Sequence, residues 1–154
     1  MSKKLMRLTG LILGLIFCLG LVFGCGSSKQ NTTTTASSKT AQIAADGQYT
    51  SKHDVALYIH TYKKLPANFI TKKEAQRLGW KQKGTLDKVA PGKSIGGDKF
   101  GNFEKKLPTK GGRHYTECDI NYKKGNRGPE RIVFSNDGLI FYCKDHYNTF
   151  EQLY

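Results

Sequence analysis

The sequence predicts an α+β fold, with N-terminal helices packed on one face of a C-terminal antiparallel β-sheet. Three observations predict it. Apolar residues recur at helical spacing early in the folded segment, at Val55, Tyr58, Ile59 and Tyr62. Side chains alternate along Arg113 to Asn121, as they do in a strand. Two apolar runs, Glu130 to Ser135 and Leu139 to Cys143, flank Asn136-Asp137-Gly138, a hairpin turn signal. Helices first and strands later favour a sheet covered by helices on one face.

The elements follow in order. Ser51 and Asp54 have capping-box spacing, which starts the first helix, and Leu65-Pro66 stops it. Thr71 and Glu74 repeat the box, and Gly79 after Leu78 ends the second helix. A helical turn is expected over Leu86 to Val89, before Pro91-Gly92. Ser94 to Lys99 reads as a strand bent at Gly96-Gly97. In the strand from Arg113, His114, Thr116, Cys118 and Ile120 point one way, and Arg113, Tyr115, Glu117 and Asp119 the other. The face away from the helices is expected to be open and to carry Glu117 and Arg131. Thr149 to Leu153 reads as a last edge strand.

The domain accounts for only part of the 154 residues. Residues 1–24 read as a signal peptide. Lys3, Lys4 and Arg7 precede an apolar stretch, Leu8 to Phe23, that ends at Val22-Phe23-Gly24-Cys25. That ending resembles the lipobox of bacterial lipoproteins, so Cys25 is the expected lipidation site and the membrane an expected partner. Two acyl chains from a diacylglycerol suffice for stable anchoring. A cleaved leader that frees the protein, and an uncleaved anchor, are the alternatives. Residues 25–45 hold Cys25 and a Ser/Thr-rich tether that cannot bury a core. Residues 46–154 form the folded domain, enough chain for one modest core.

The chain is strongly basic, with a net charge of +13 and a pI near 9.7. Five of the 25 basic residues (Lys3, Lys4, Arg7, Lys29 and Lys39) precede Asp46, and none of the 12 acidic residues does. The domain keeps a net +8. Such an excess suits an anionic partner, nucleic acid or a membrane surface. Cys118 and Cys143 lie in the domain. An exported location permits a disulfide between them, but two separate thiols packed as small apolar groups are the expectation.

Cleavage of RNA through its own 2′-hydroxyl needs a base, an acid and cations for the phosphoryl oxygens. Glu117, His146 and the cations Lys72, Arg127 and Arg131 supply those residue types. Taken singly, each also suits an ordinary surface position.

Longer motifs narrow the choice. Lys64-Leu65-Pro66, Ile70-Thr71-Lys72, Leu78-Gly79-Trp80, Asp119-Ile120-Asn121-Tyr122 and Asp145-His146-Tyr147 surround the run Val89-Ala90-Pro91-Gly92-Lys93-Ser94-Ile95-Gly96-Gly97-Asp98. From about Asp54 to Phe150 the sequence resembles the barnase-like, guanyl-specific bacterial ribonucleases. The resemblance implies the microbial ribonuclease fold. It implies metal-independent cleavage of single-stranded RNA after guanosine, through a 2′,3′-cyclic phosphate, with no cofactor.

The resemblance also implies residue roles. Glu117 is the general base and His146 the general acid. Lys72, Arg127 and Arg131 bind phosphate and stabilise the transition state. Tyr147 contacts substrate beside the acid, and Asp119 orients the arginines. Phe100, Gly101, Asn102, Phe103 and Glu104 form the guanine-binding loop, with Glu104 accepting from guanine N1–H and N2–H. A barstar-like acidic inhibitor is an implied partner, and the enzyme is expected to be an exported monomer. The sequence departs from the family at Phe103, where an arginine is usual. Two further readings stay open: a non-catalytic surface lipoprotein that binds RNA or anions on a retained fold, and an intercellular nuclease toxin.

Overall fold

The computed structural model describes residues 43–82 and 84–154. The leader, Cys25 and the tether up to residue 42 lie outside the described residues. No described helix is long and apolar enough to cross a membrane.

The first helix, α1, spans Lys52–Tyr62. The Ser51 side chain accepts from the Asp54 N–H, and the helix ends at Lys63, whose φ is 56°. Its buried face is Val55, Ala56, Tyr58 and Ile59. Residues 43–45, which the sequence places in the tether, lie against this helix. The Tyr62 hydroxyl donates to the Ile43 carbonyl, and that of Tyr58 to the Ala45 carbonyl, each at 2.7 Å.

A two-residue strand, β1 (Phe69–Ile70), leads into the second helix, α2 (Lys72–Arg77). The Thr71–Glu74 capping box is complete in both directions, so two of the orphan donors at this helix start are satisfied. A 3₁₀ turn follows at Leu86–Lys88. Then come β2 (Ser94–Phe100), β3 (Tyr115–Asp119), β4 (Arg131–Ser135), β5 (Ile140–Cys143) and β6 (Glu151–Gln152). The six strands lie in chain order across one sheet.

The α+β architecture matches the sequence expectation, with two differences. The sheet is mixed: β1 pairs in parallel with β2, through Phe69↔Ser94 and Ile70↔Ile95, and the other pairs are antiparallel. Two residues carry no alternation, so no periodicity announces this strand. The face away from α1 is also covered rather than open. Leu107, Tyr115, Val133 and Phe141 are buried there, beneath Phe100, Leu139, Tyr147 and Phe150. Much of that cover comes from loops, whose apolar residues follow no strand or helix period.

The main core lies between α1 and the opposite face, where Val55, Ala56 and Ile59 meet Cys118, Ile120, Ile132 and Ile140. A third cluster ties α2 to the sheet through Ala75, Trp80, Leu86, Ala90, Ile95 and Tyr122.

Strand β2 shifts register between Gly96 and Asp98. Gly97 sits at φ 98°, a conformation that strongly favours glycine. The expected bend is this bulge. Asp98 then reaches back to α2, accepting from the Lys72 backbone N–H at 3.0 Å. That bond fixes the first turn of α2 against the sheet.

Cys118 and Cys143 are both free and buried. Cys118 lies opposite Ile132, and Cys143 opposite Arg131. Adjacent residues of β4 point to opposite faces, so the thiols lie on opposite sides of the sheet and cannot pair.

Candidate active site

Glu117 stands at the middle of β3, opposite Val133. Its face is the one covered by loops, and only 8% of the residue remains accessible. Each carboxylate oxygen has one partner. Lys72 Nζ donates to Oε1 at 2.5 Å and the Tyr147 hydroxyl to Oε2 at 2.5 Å. Lys72 arrives from the first turn of α2, anchored by the capping box and by Asp98. Burial and the adjoining Glu117 carboxylate push the Tyr147 phenol well above its ordinary range. Its hydroxyl therefore stays a donor at all moderate pH values.

Two residues along β3, Asp119 organises the arginines. Arg127 grips it with two bonds, Nε to Oδ2 at 2.6 Å and Nη2 to Oδ1 at 2.7 Å. This planar fork is the strong form of a carboxylate–guanidinium pair, and it raises the already high Arg127 pKa further. Arg131 comes from the facing residue of β4. Its Nε lies 3.1 Å from Asp119 Oδ1, close enough for charge attraction but out of line for a hydrogen bond. Its Nη1 donates to the Gly128 and Glu130 carbonyls. Trp80, a residue to which the sequence assigned no site role, lies under Arg127, 5.8 Å from the guanidinium carbon.

His146 lies on an exposed loop after β5. His146 and Tyr147 have φ values of 55° and 75°. Two successive non-glycine residues in this region are costly and persist only when the surroundings hold them there. The Asp145 carboxylate does much of this. It accepts from the backbone N–H groups of Asn148 (3.1 Å) and Thr149 (2.9 Å), and from the Thr149 hydroxyl (2.6 Å). The Thr149 bonds hold its pKa at about 2. The His146 N–H donates to the Pro129 carbonyl at 3.3 Å, tying this loop to the arginine-bearing one. Asp145 was legible only as a neighbour of the histidine, because its partners are backbone groups.

Two concavities adjoin these groups. A cleft of about 570 Å³ is lined by Gln82, Asn126, Arg127, Pro129, Arg131 and His146, among others. It collects both arginines and the histidine without any carboxylate in its wall, so it suits an anion. A smaller pocket of about 160 Å³ is formed by Phe100, Gly101, Asn102, Phe103, Glu104, Lys106 and Tyr147. Tyr147 links the two regions. It lines the smaller pocket, bonds Glu117, and its ring centroid lies 6.0 Å from the Arg131 guanidinium, which lines the cleft.

The expected base-binding loop lies in that smaller pocket. Its Asn102 side chain is spent on the loop itself, bonding both backbone groups of Leu107 at 2.9 and 3.0 Å. The Glu104 carboxylate is exposed and pairs with Lys106 at 2.7 Å. Lys106 also donates to the Tyr147 carbonyl at 3.0 Å, which the sequence did not foretell. The structure thus gathers Lys72, Glu117 and Tyr147 into one cluster, Asp119, Arg127 and Arg131 into a second, and residues 100–104 around the pocket. Cys25 lies outside the described residues.

Comparison with known proteins places the chain among ribonucleases. The ribonuclease family matches residues 52–154. A ribonuclease of Bacillus pumilus is 47% identical over 128 residues, covering 79% of each chain. One from Heyndrickxia coagulans is 53% identical over 100 residues, covering 64% of this chain and 92% of its own. One from Bacillus intermedius is 53% identical over 100 residues, covering 64% of this chain and 62% of its own. The chain belongs to the ribonuclease family and is an RNA-cleaving enzyme.

Proposed function

We propose that this ribonuclease is an exported enzyme that cuts single-stranded RNA after guanosine without a metal. Glu117 takes the proton of the 2′-hydroxyl, whose oxygen attacks the adjacent phosphorus. His146 gives a proton to the departing 5′-oxygen, and a 2′,3′-cyclic phosphate forms. In the second step the roles reverse: His146 activates water and Glu117 returns a proton to the 2′-oxygen, leaving a 3′-phosphate. Lys72, Arg127 and Arg131 offset the charge that builds on the phosphoryl oxygens. The loop from Phe100 to Glu104 holds the guanine. DNA lacks the attacking hydroxyl and is left uncut.

One observation carries this reading. The Glu117 carboxylate is shielded from solvent and held in one orientation between Lys72 and Tyr147, which supports its reading as the positioned general base. The base must exchange one of these bonds for the substrate hydroxyl. The separate acid, His146, lies on the cleft that the arginines line.

The test is cleavage of a guanylyl-(3′,5′)-nucleotide in EDTA. Glu117→Gln and His146→Ala should each lower kcat by about 10²- to 10⁴-fold. Undiminished cleavage by Glu117→Gln would remove Glu117 from the chemistry, and loss of wild-type activity in EDTA would remove metal independence.

Export and anchoring at Cys25 belong to the same proposal and rest on the sequence of the leader. Mass spectrometry of the mature N-terminus tests them: a diacylated Cys25 is expected, and an intact Met1 refutes both. An acidic, barstar-like inhibitor completes the proposal, since such a partner suits the cationic cleft.

A further inference from the structure

Phe103 is 94% exposed, far more than the other exposed large apolar side chains among the described residues, Leu78 and Tyr154. The remaining aromatic side chains of its pocket pack against each other. The Phe100 ring lies 5.2 Å from that of Tyr147 and 6.1 Å from that of Phe150. Phe103 belongs to none of the three apolar clusters. Its ring lies beside the Gly101 backbone, so closely that a Cβ on Gly101 would fall 2.2 Å from it. The fold gains little from this phenyl group, most of whose surface is open to solvent.

Beside the Phe100 and Tyr147 rings, the pocket carries polar groups: the Glu104 carboxylate, Lys106 and the backbone of residues 101–104. A fitting ligand has a flat apolar face and an edge rich in hydrogen-bond donors and acceptors. A nucleobase has both. An exposed aromatic beside a nucleic-acid site is a stacking platform for single-stranded bases.

We propose that Phe103 stacks on the base whose edge is read by Glu104, and so determines how tightly this enzyme holds its substrate. The inference rests on the proposed placement of guanine in this pocket and adds a second recognition element to it. Glu104 reads the edge of the base, whereas Phe103 binds its face. Stacking acts on a part of the substrate that does not change during reaction. It therefore strengthens ground state and transition state alike, and its loss appears in KM rather than kcat.

Two measurements test this. Steady-state kinetics on a guanylyl-(3′,5′)-nucleotide should show KM raised about fivefold or more in Phe103→Leu and Phe103→Ala. Their kcat should stay within about twofold, while Phe103→Trp keeps a wild-type KM. The second measurement titrates Phe103→Trp with 3′-GMP, using the wild type, with its single Trp80, as reference. The added indole emission should be quenched as the nucleotide binds. An unchanged KM in Phe103→Leu, or unquenched emission at saturating 3′-GMP, overturns the proposal. A wild type that does not cut the guanylyl substrate strikes the proposed reaction instead. The titration then decides the stacking alone, with quenching supporting it and its absence refuting it.

Discussion

Tyr147 donates its hydroxyl to Glu117 Oε2 at 2.5 Å, from a loop thirty residues further along the chain. The bond joins the central carboxylate of the sheet to the loop that carries His146. It also makes Tyr147→Phe informative. The substitution removes a hydrogen bond to a charged group, so kcat/KM should fall about tenfold or more. Burial and the Glu117 charge keep the phenol protonated above its ordinary range. Its ionisation therefore cannot produce an alkaline fall in activity. Profiles of kcat/KM from pH 5 to 10 should show the same alkaline limb in wild type and Tyr147→Phe, and a limb lost in the variant would contradict this.

Asp119 is the shared counter-charge of Arg127 and Arg131 and is 2% exposed. Asp119→Asn keeps the shape and removes the charge, leaving two guanidinium groups against a neutral amide. Breaking a buried pair in this way should cost about 3 kcal/mol of stability. Urea unfolding measures the loss. Cleavage by the folded variant should fall as well, because the fork that aims Arg127 is gone.

The fold has an acid-sensitive tie at the hairpin. Arg113 binds Asp137 through Nε and Nη2, and the Ser135 hydroxyl donates to the same carboxylate. These bonds, the arginine's first, lower the Asp137 pKa from 3.8 to about 2. The folded state thus binds the proton more weakly than the unfolded chain. The stabilisation is complete above about pH 4 and is lost as pH falls through about 2. Asp137→Asn should be less stable than wild type at pH 7, and the difference should shrink steadily below pH 4. A difference independent of pH in denaturant titrations would show that the charge plays no part.

Gly96 has no room for a side chain. A Cβ there would lie 2.6 Å from Cys118 Cβ and 2.7 Å from the Phe69 ring. Gly96→Ala must push β2 away from β3 or β1, at a cost of about 1–3 kcal/mol. Gly111→Ala meets nothing within 4 Å and should change stability by less than about 0.5 kcal/mol. The shift at Gly96 also moves the chain leading to Lys72, so cleavage should fall beyond what lost stability explains. Thermal unfolding and cleavage assays on both variants check the contrast.

Local signals made much of this fold legible. The Thr71–Glu74 box, the Gly96-Gly97 bend and the Asn136-Asp137-Gly138 turn each act within a few residues, and each occurs where the sequence puts it. What stayed hidden depends on distant partners. Phe69–Ile70 is a strand only because Ser94 and Ile95 lie beside it. The second face of the sheet is covered because Leu107 and Phe150 fold over it. The candidate site divides in the same way. Residue types and family resemblance marked Glu117, Lys72 and the arginines. The burial of Glu117, the grip of Tyr147 on it and the loop-holding role of Asp145 exist only once strands and loops have met.

The two thiols of the domain lie on opposite sides of one sheet, each sealed by the packing around it. Burial also raises the pKa of both, so little reactive thiolate is present at neutral pH. The folded domain therefore keeps its two thiols apart in reducing and oxidising surroundings alike. It needs no thiol oxidase to mature and no isomerase to correct mispaired bonds. Once folded, its stability in denaturant titrations should not depend on redox buffer.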